Sequence, residues 1–193
     1  MIHNNGSPDF EPAARALKGL LPGATDDRLT APTPCQSWVV GDLLDHLMGL
    51  TLAFRTAAEK GPDPAPDGPG DPSVDRLDPQ WRSRLPVRLD ELVVAWREPA
   101  AWTGETVVGG VVLPAEVMGV VALNELVVHG WDLARATGQP YDIDDQTLDT
   151  VHRLVSQQAS SDGTPGLFGP SVIQPDDAPL LDRVLGLTGR TPR

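Results

Sequence analysis

Apolar residues recur every three to four positions through most of this chain, the period of amphipathic helices. Phe10, Ala13, Ala14, Leu17, Leu20 and Leu21 form the first stripe, with Ser7 predicted as N-cap, Pro8 at the first helical position and Pro22-Gly23 as the stop. A second helix is predicted from about Val40 to Lys60, carrying Leu43, His46, Leu47, Leu50, Phe54 and Ala57 inward and ending at Gly61-Pro62. A third is predicted from near Pro86 to before Pro99, facing inward with Leu89, Leu92, Val93 and Trp96; Pro86 would kink a helix that also took in Trp81 to Leu85. Thr106 to Leu113 reads as two short strands across Gly109-Gly110. The fourth helix is predicted from near Pro114 to Gly138, with Pro140 beyond it. The fifth follows Asp144 or Asp145 and uses Leu148, Val151, Leu154 and Val155, and one short helix, around Pro179 to Leu187, lies in an otherwise irregular tail over 163–193. Helices dominate, so an all-α fold with bundled helices is expected; a lone hairpin is marginal and must lean on them.

Composition adds limits. Residues 61–72 hold five Pro, three Gly, three Asp and one Ala, so 61–80 is expected as an exposed loop between helices, inside a single domain spanning 1–193. Hydrophobic residues make up 40 % of the 193, enough for one core. With 27 acidic and 15 basic residues the net charge is −12, which argues against nucleic acid and anionic membrane surfaces as partners. The single cysteine, Cys35, excludes an internal disulfide and a cysteine-based zinc knuckle. There is no run of about 18 apolar residues and no basic, apolar leader at the start, so a cytoplasmic chain acting on a small molecule is expected, as monomer or homodimer. Phosphate-binding and serine-hydrolase motifs are missing.

The fourth helix carries the chemistry. Between Val117 and Val128 only Asn124 and Glu125 are polar, which predicts that Glu125 is buried. A buried carboxylate costs several kcal/mol unless it is paired or protonated. No Lys or Arg lies within a turn of Glu125, but His129 stands at i+4, on the same helix face. His46, on the apolar stripe of the second helix, supplies a third inward group. An inward His is more often a hydrogen-bonded core residue, and a Glu-x-x-x-His pair more often lies on a surface. Taken together, the three make a His₂Glu set that leaves a coordination position open, with zinc as first choice and nickel, cobalt or iron also admissible. Asp42 and Asp132 could each orient an imidazole, or else Asp42 complements the helix dipole. Cys35 reads as a structural thiol, Trp38 and Trp131 as core anchors, and His3 and His152 as solvated.

Two segments add a resemblance. Thr33-Pro34-Cys35-Gln36-Ser37-Trp38-Val39-Val40-Gly41-Asp42-Leu43-Leu44-Asp45-His46-Leu47 and Asn124-Glu125-Leu126-Val127-Val128-His129-Gly130-Trp131-Asp132-Leu133-Ala134 resemble two signatures of actinobacterial DinB-like proteins. These are relatives of the metal-binding N-terminal domain of mycothiol-dependent maleylpyruvate isomerase. Phe168-Gly169-Pro170, Asp177-Ala178 and Leu187-Thr188-Gly189-Arg190 are similar to the tail of the short, single-domain members. The resemblance implies a DinB/YfiT-like four-helix bundle with a further C-terminal helix. It implies a divalent metal on His46, Glu125 and His129, and a low-molecular-weight thiol such as mycothiol as co-substrate. The isomerase carries an additional C-terminal domain, for which this chain looks too short, so isomerase activity itself is not expected.

Three functions follow as expectations. The first is a metal-dependent thiol S-transferase acting on a small electrophile. The second is a hydrolase that uses the same metal to activate water. The third is a non-enzymatic, metal-stabilised bundle that binds a small molecule.

Overall fold

A computed structural model describes residues 6–35, 37–163 and 169–192; His3, Gln36 and Phe168 lie outside the described residues. The described elements are helices α1 (Glu11–Leu20), α2 (Val40–Ala58), α3 (Trp81–Arg97), α4 (Ala115–Thr137), α5 (Asp145–Gln158) and α6 (Leu180–Leu187), and strands β1 (Glu105–Val108) and β2 (Val111–Pro114). Helices α1 and α2 each pack against both α3 and α4, so these four close a ring around one core, while α5 packs on α4 and α6 on α5. Leu17, Leu43, Leu47, Leu89, Leu123 and Leu126 are fully buried there. Removal of each such side chain from water contributes about 1.5–3 kcal/mol before the entropy of ordering it is subtracted.

Two helix starts differ from expectation. α1 begins at Glu11, and Ser7 is not its cap. Phe10 takes the N-cap position and accepts from the Ala14 N–H at 3.0 Å, while Asp9 Oδ1 accepts from the Glu11 N–H at 3.0 Å. Burial of Phe10, stacked on Trp96, fixes where the chain turns inward. α3 begins at Trp81 and runs through Pro86. Its start is set by Asp78, which accepts from the Gln80 and Trp81 N–H groups, and burial of Trp81 and Leu85 outweighs the one backbone bond that Pro86 cannot make.

The hairpin pairs Thr106 with Leu113 and Val108 with Val111. Gly109 and Gly110 both have positive φ, 60° and 77°, as this tight two-residue turn requires. The Pro/Gly/Asp loop is fastened to it: Asp63 Oδ2 accepts from the Gly110 N–H at 2.7 Å, and Asp63 Oδ1 from the Ala65 N–H at 3.0 Å. α4 has no unbroken run of 18 apolar residues, yet it is long and apolar enough to cross a membrane by length and mean composition; 78 % of that window is buried inside the protein, so its apolar surface is used by the core.

Candidate metal centre

The site forms where the first half of α2 meets the middle of α4. Asp42, in the first turn of α2, accepts from the Val39 N–H at 2.9 Å through Oδ2 and from the Val74 N–H at 2.7 Å through Oδ1. It fastens the helix start and a loop, and does not orient His46. One turn on, His46 Nε2 stands 3.3 Å from Glu125 Oε2. From the other side, His129 Nε2 stands 3.1 Å from the same oxygen. The three ligand atoms lie within 4.8 Å of one another. The side chains of His46, Glu125 and His129 keep 20 %, 17 % and 8 % exposure, so the carboxylate that the sequence predicts as buried is partly exposed.

His129 is held from behind. Asp132 Oδ2 lies 3.0 Å from His129 Nδ1, and Asp132 is fully buried. Arg190 Nη2 donates to Asp132 Oδ2 at 2.8 Å, and Arg190 Nε lies 3.4 Å from Oδ1. With Nδ1–H donated to Asp132, a neutral His129 turns the Nε2 lone pair toward Glu125, so two acceptors face each other across 3.1 Å. That arrangement calls for a positive charge: a proton that makes the ring imidazolium, or a metal cation. Donors around zinc, at about 2.0–2.2 Å from the ion, stand roughly 3.3–3.5 Å apart. Two imidazole nitrogens and one carboxylate oxygen are also the donor types of open zinc sites. The residues therefore fit a divalent cation.

The electrostatics agree in direction. Burial opposes charge on His129, but Glu125 and Asp132 on either side outweigh it and raise the ring to about 9. Burial pushes Glu125 up, yet the two imidazoles hold it well below the usual carboxylate range. His46 is lowered by burial, against the pull of Glu125.

Around the cluster stand residues that sequence spacing assigned elsewhere. Trp38, expected as core, is half-buried and lies over both imidazoles, its ring centre 4.9 Å from that of His46 and 5.8 Å from that of His129. Trp131 is the exception: it is buried in the core, as expected, with the Arg135 guanidinium 5.9 Å from its ring. Cys35 lies with His129 and Asp132 in a second group whose ligand atoms are within 4.8 Å of one another. Burial pushes its thiol up to about 11, against the pull of Arg190. Cys35 and Trp38 are delivered by one turn: Thr33 Oγ1 donates to both of their carbonyls, at 3.1 and 2.9 Å, and Ser37 between them has φ 70°. His152 is not freely solvated; its Nε2 stands 3.3 Å from Arg183 Nη2. Arg190 was legible only as part of the tail motif. Its signal is Asp132, a buried acid of α4 that meets His129 but no Lys or Arg of that helix.

The family profile described as "Mycothiol maleylpyruvate isomerase N-terminal domain" matches residues 10–134. Among curated proteins, two uncharacterized proteins of Mycobacterium tuberculosis, from strains CDC 1551 / Oshkosh and ATCC 25618 / H37Rv, are each 28 % identical over 196 residues, covering 94 % of this chain and 95 % of theirs. Among solved structures, a histidine-to-alanine mutant of the mycothiol-dependent maleylpyruvate isomerase matches with a TM-score of 0.60, and the isomerase itself with 0.58. Both are 16 % identical, and the match covers 95 % of this chain and 87 % of each of those. At that coverage the expectation that a whole further domain of the isomerase lacks a counterpart here does not hold. The profile covers α1 to α4 and ends before α5 and α6. The chain belongs to the mycothiol maleylpyruvate isomerase N-terminal domain family.

Proposed function

We propose that this family member holds a divalent cation, zinc by first preference, on His46 Nε2, Glu125 Oε2 and His129 Nε2, and uses it to transfer a mycothiol-type thiol onto a small electrophile. The observation that supports this reading is the convergence of two imidazole nitrogens on one carboxylate oxygen, at 3.3 and 3.1 Å. The family membership supports the thiol. The finer fold reading belongs with it: a DinB/YfiT-type four-helix bundle made by α1 to α4, forming one domain with α5 and α6.

A cation held by His46, Glu125 and His129 would supply Lewis-acid chemistry and lower the pKa of a thiol brought to the site. The chain's own residues do the rest. Glu125 offsets part of the cation's charge in a site with little water. Asp132 accepts the His129 Nδ1 proton and fixes the tautomer that leaves Nε2 free to coordinate. Trp38 packs against both imidazoles and helps to hold the two rings in place. In the transfer, the thiol gives up its proton, a sulfur–carbon bond forms at the electrophile, and the proton ends on the electrophile's neighbouring atom.

The test compares zinc-loaded protein, chelator-treated protein and the His129→Ala variant, each with mycothiol and a panel of electrophiles. Acceleration only in the loaded wild type supports the proposal. Equal rates in all three overturn it, turnover without any thiol replaces it with metal-assisted hydrolysis, and zinc-dependent stability without catalysis leaves a binding protein.

A further inference from the structure

We propose that Arg190 is a positioning residue for the cation site, so that cation binding and seating of the chain after α6 are coupled. The inference rests on the cation site proposed above and extends it to a part of the chain that the family profile does not reach.

The geometry is a relay of four groups. Arg190 holds Asp132 through Nη2 at 2.8 Å, Asp132 holds His129 Nδ1 at 3.0 Å, and His129 Nε2 meets Glu125 at 3.1 Å. Asp132 is fully buried and the Arg190 side chain keeps only 11 % exposure. Such an ion pair is shielded from solvent, and neither partner has water to fall back on when the other is removed. The guanidinium engages both oxygens of Asp132, which leaves the carboxylate one orientation in which Oδ2 still meets the imidazole. Without it, the carboxylate loses what fixes its rotation, and the ring it steers is no longer held with Nε2 on Glu125. Loss of such outer partners weakens metal affinity about 10- to 100-fold in known sites.

Arg190 reaches Asp132 from a distant part of the sequence. It follows the C-terminal end of α6, where its own N–H bonds the Leu185 carbonyl at 2.9 Å and its Nη1 bonds the Thr188 carbonyl at 2.9 Å. The guanidinium is therefore braced on α6 while it grips α4. A cation that needs His129 in one orientation favours the state in which Arg190 is seated, and a seated Arg190 favours the cation to the same degree.

The experiment uses the full chain and Zn²⁺ alone as probe, with affinity read by competition against a chromogenic chelator. Arg190→Met should bind Zn²⁺ about 10- to 100-fold more weakly, and Arg190→Lys, which keeps the charge, should recover part of the loss. Two readouts separate positioning from simple loss of structure. In the metal-free protein, relaxation of the His129 ring C–H signals should report one ordered ring in wild type and a mobile one in Arg190→Met. Zn²⁺ should slow amide exchange over Leu180–Leu187 several-fold in wild type and leave it unchanged in Arg190→Met. Wild-type affinity in Arg190→Met, or no Zn²⁺ effect on Leu180–Leu187 exchange in wild type, overturns the proposal. If Arg190→Met does not fold, Arg190→Lys and the wild-type exchange result decide it. A wild-type chain that binds no Zn²⁺ removes the proposed function and this coupling together; Zn²⁺ binding that is indifferent to Arg190 removes the coupling alone.

Discussion

Helix α4 carries two clusters of rings that invite comparison. At Gly119 it meets Trp96 and Trp102, the two tryptophans edge to face at 4.9 Å, with Phe10 stacked on Trp96 at 5.6 Å. Further along, Glu125 and His129 meet His46 and Trp38, with the two imidazoles 4.8 Å apart. The first cluster is dry and held by shape. Trp102 Nε1 donates to the Trp96 carbonyl at 2.7 Å, and Trp96 Nε1 has no hydrogen-bond partner among the described residues. In the second, position depends on a chain of charged partners that ends beyond α6. The first needs volume, the second needs direction. Cavities and overpacking should therefore hurt one, and lost partners the other.

The largest expected effect is on the polar cluster. His129→Ala leaves Glu125 with one imidazole and should abolish zinc retention through gel filtration, read by elemental analysis; one zinc per chain in that variant would break the comparison. Trp96→Ala should cost about 3–5 kcal/mol in urea unfolding, with the zinc affinity of the folded fraction unchanged. A smaller loss is expected for Gly119→Ala, whose methyl would stand 2.5 Å from Trp102 Cζ3 and 2.8 Å from Trp96 Cζ3. Overpacking of this kind costs about 1–3 kcal/mol, and thermal unfolding should show it without a change in zinc binding.

Asp144 belongs to neither cluster and serves as the control. It caps α5, accepting from the Thr147 N–H at 3.0 Å and the Thr147 hydroxyl at 2.7 Å. Asp144→Ala should cost about 1 kcal/mol. Burial alone would raise this carboxyl, but the bonds from Thr147 lower it below its ordinary value. Its stabilisation is thus fully present above the unfolded carboxyl's pKa, about 3.9, and is lost as pH falls through the lower folded value. The gap between wild type and variant should close in strong acid, and a gap that persists there would remove the cap as its cause.

What the sequence made legible follows from local period. His46 sits on the stripe of α2, and Glu125 and His129 share a face of α4, so three and four residue spacings were enough to bring them together. Asp132 is visible by the same spacing, and the 3.0 Å contact joins it to His129. Arg190 stands fifty-eight residues from Asp132, and Cys35 reaches His129 through a turn. No periodicity encodes either approach. The misplaced starts of α1 and α3 share one cause, since burial of Phe10 and Trp81 decided them against the signals of Ser7 and Pro86.

The fastening of the proline-rich stretch to the hairpin has a use of its own. One carboxylate, Asp63, grips two main-chain amides, and a side chain at Gly110 would run into the Pro66 carbonyl at 2.5 Å. Anchorage of this sort reads backbone amides, and at Gly110 it also requires glycine. In the tip, Asp67 to Asp71, Gly68 and Gly70 have φ of 95° and 69° and favour glycine, while neither anchoring bond uses a tip residue. A laboratory could splice a short epitope or affinity handle there, on the hairpin side of the molecule, and leave the imidazoles untouched.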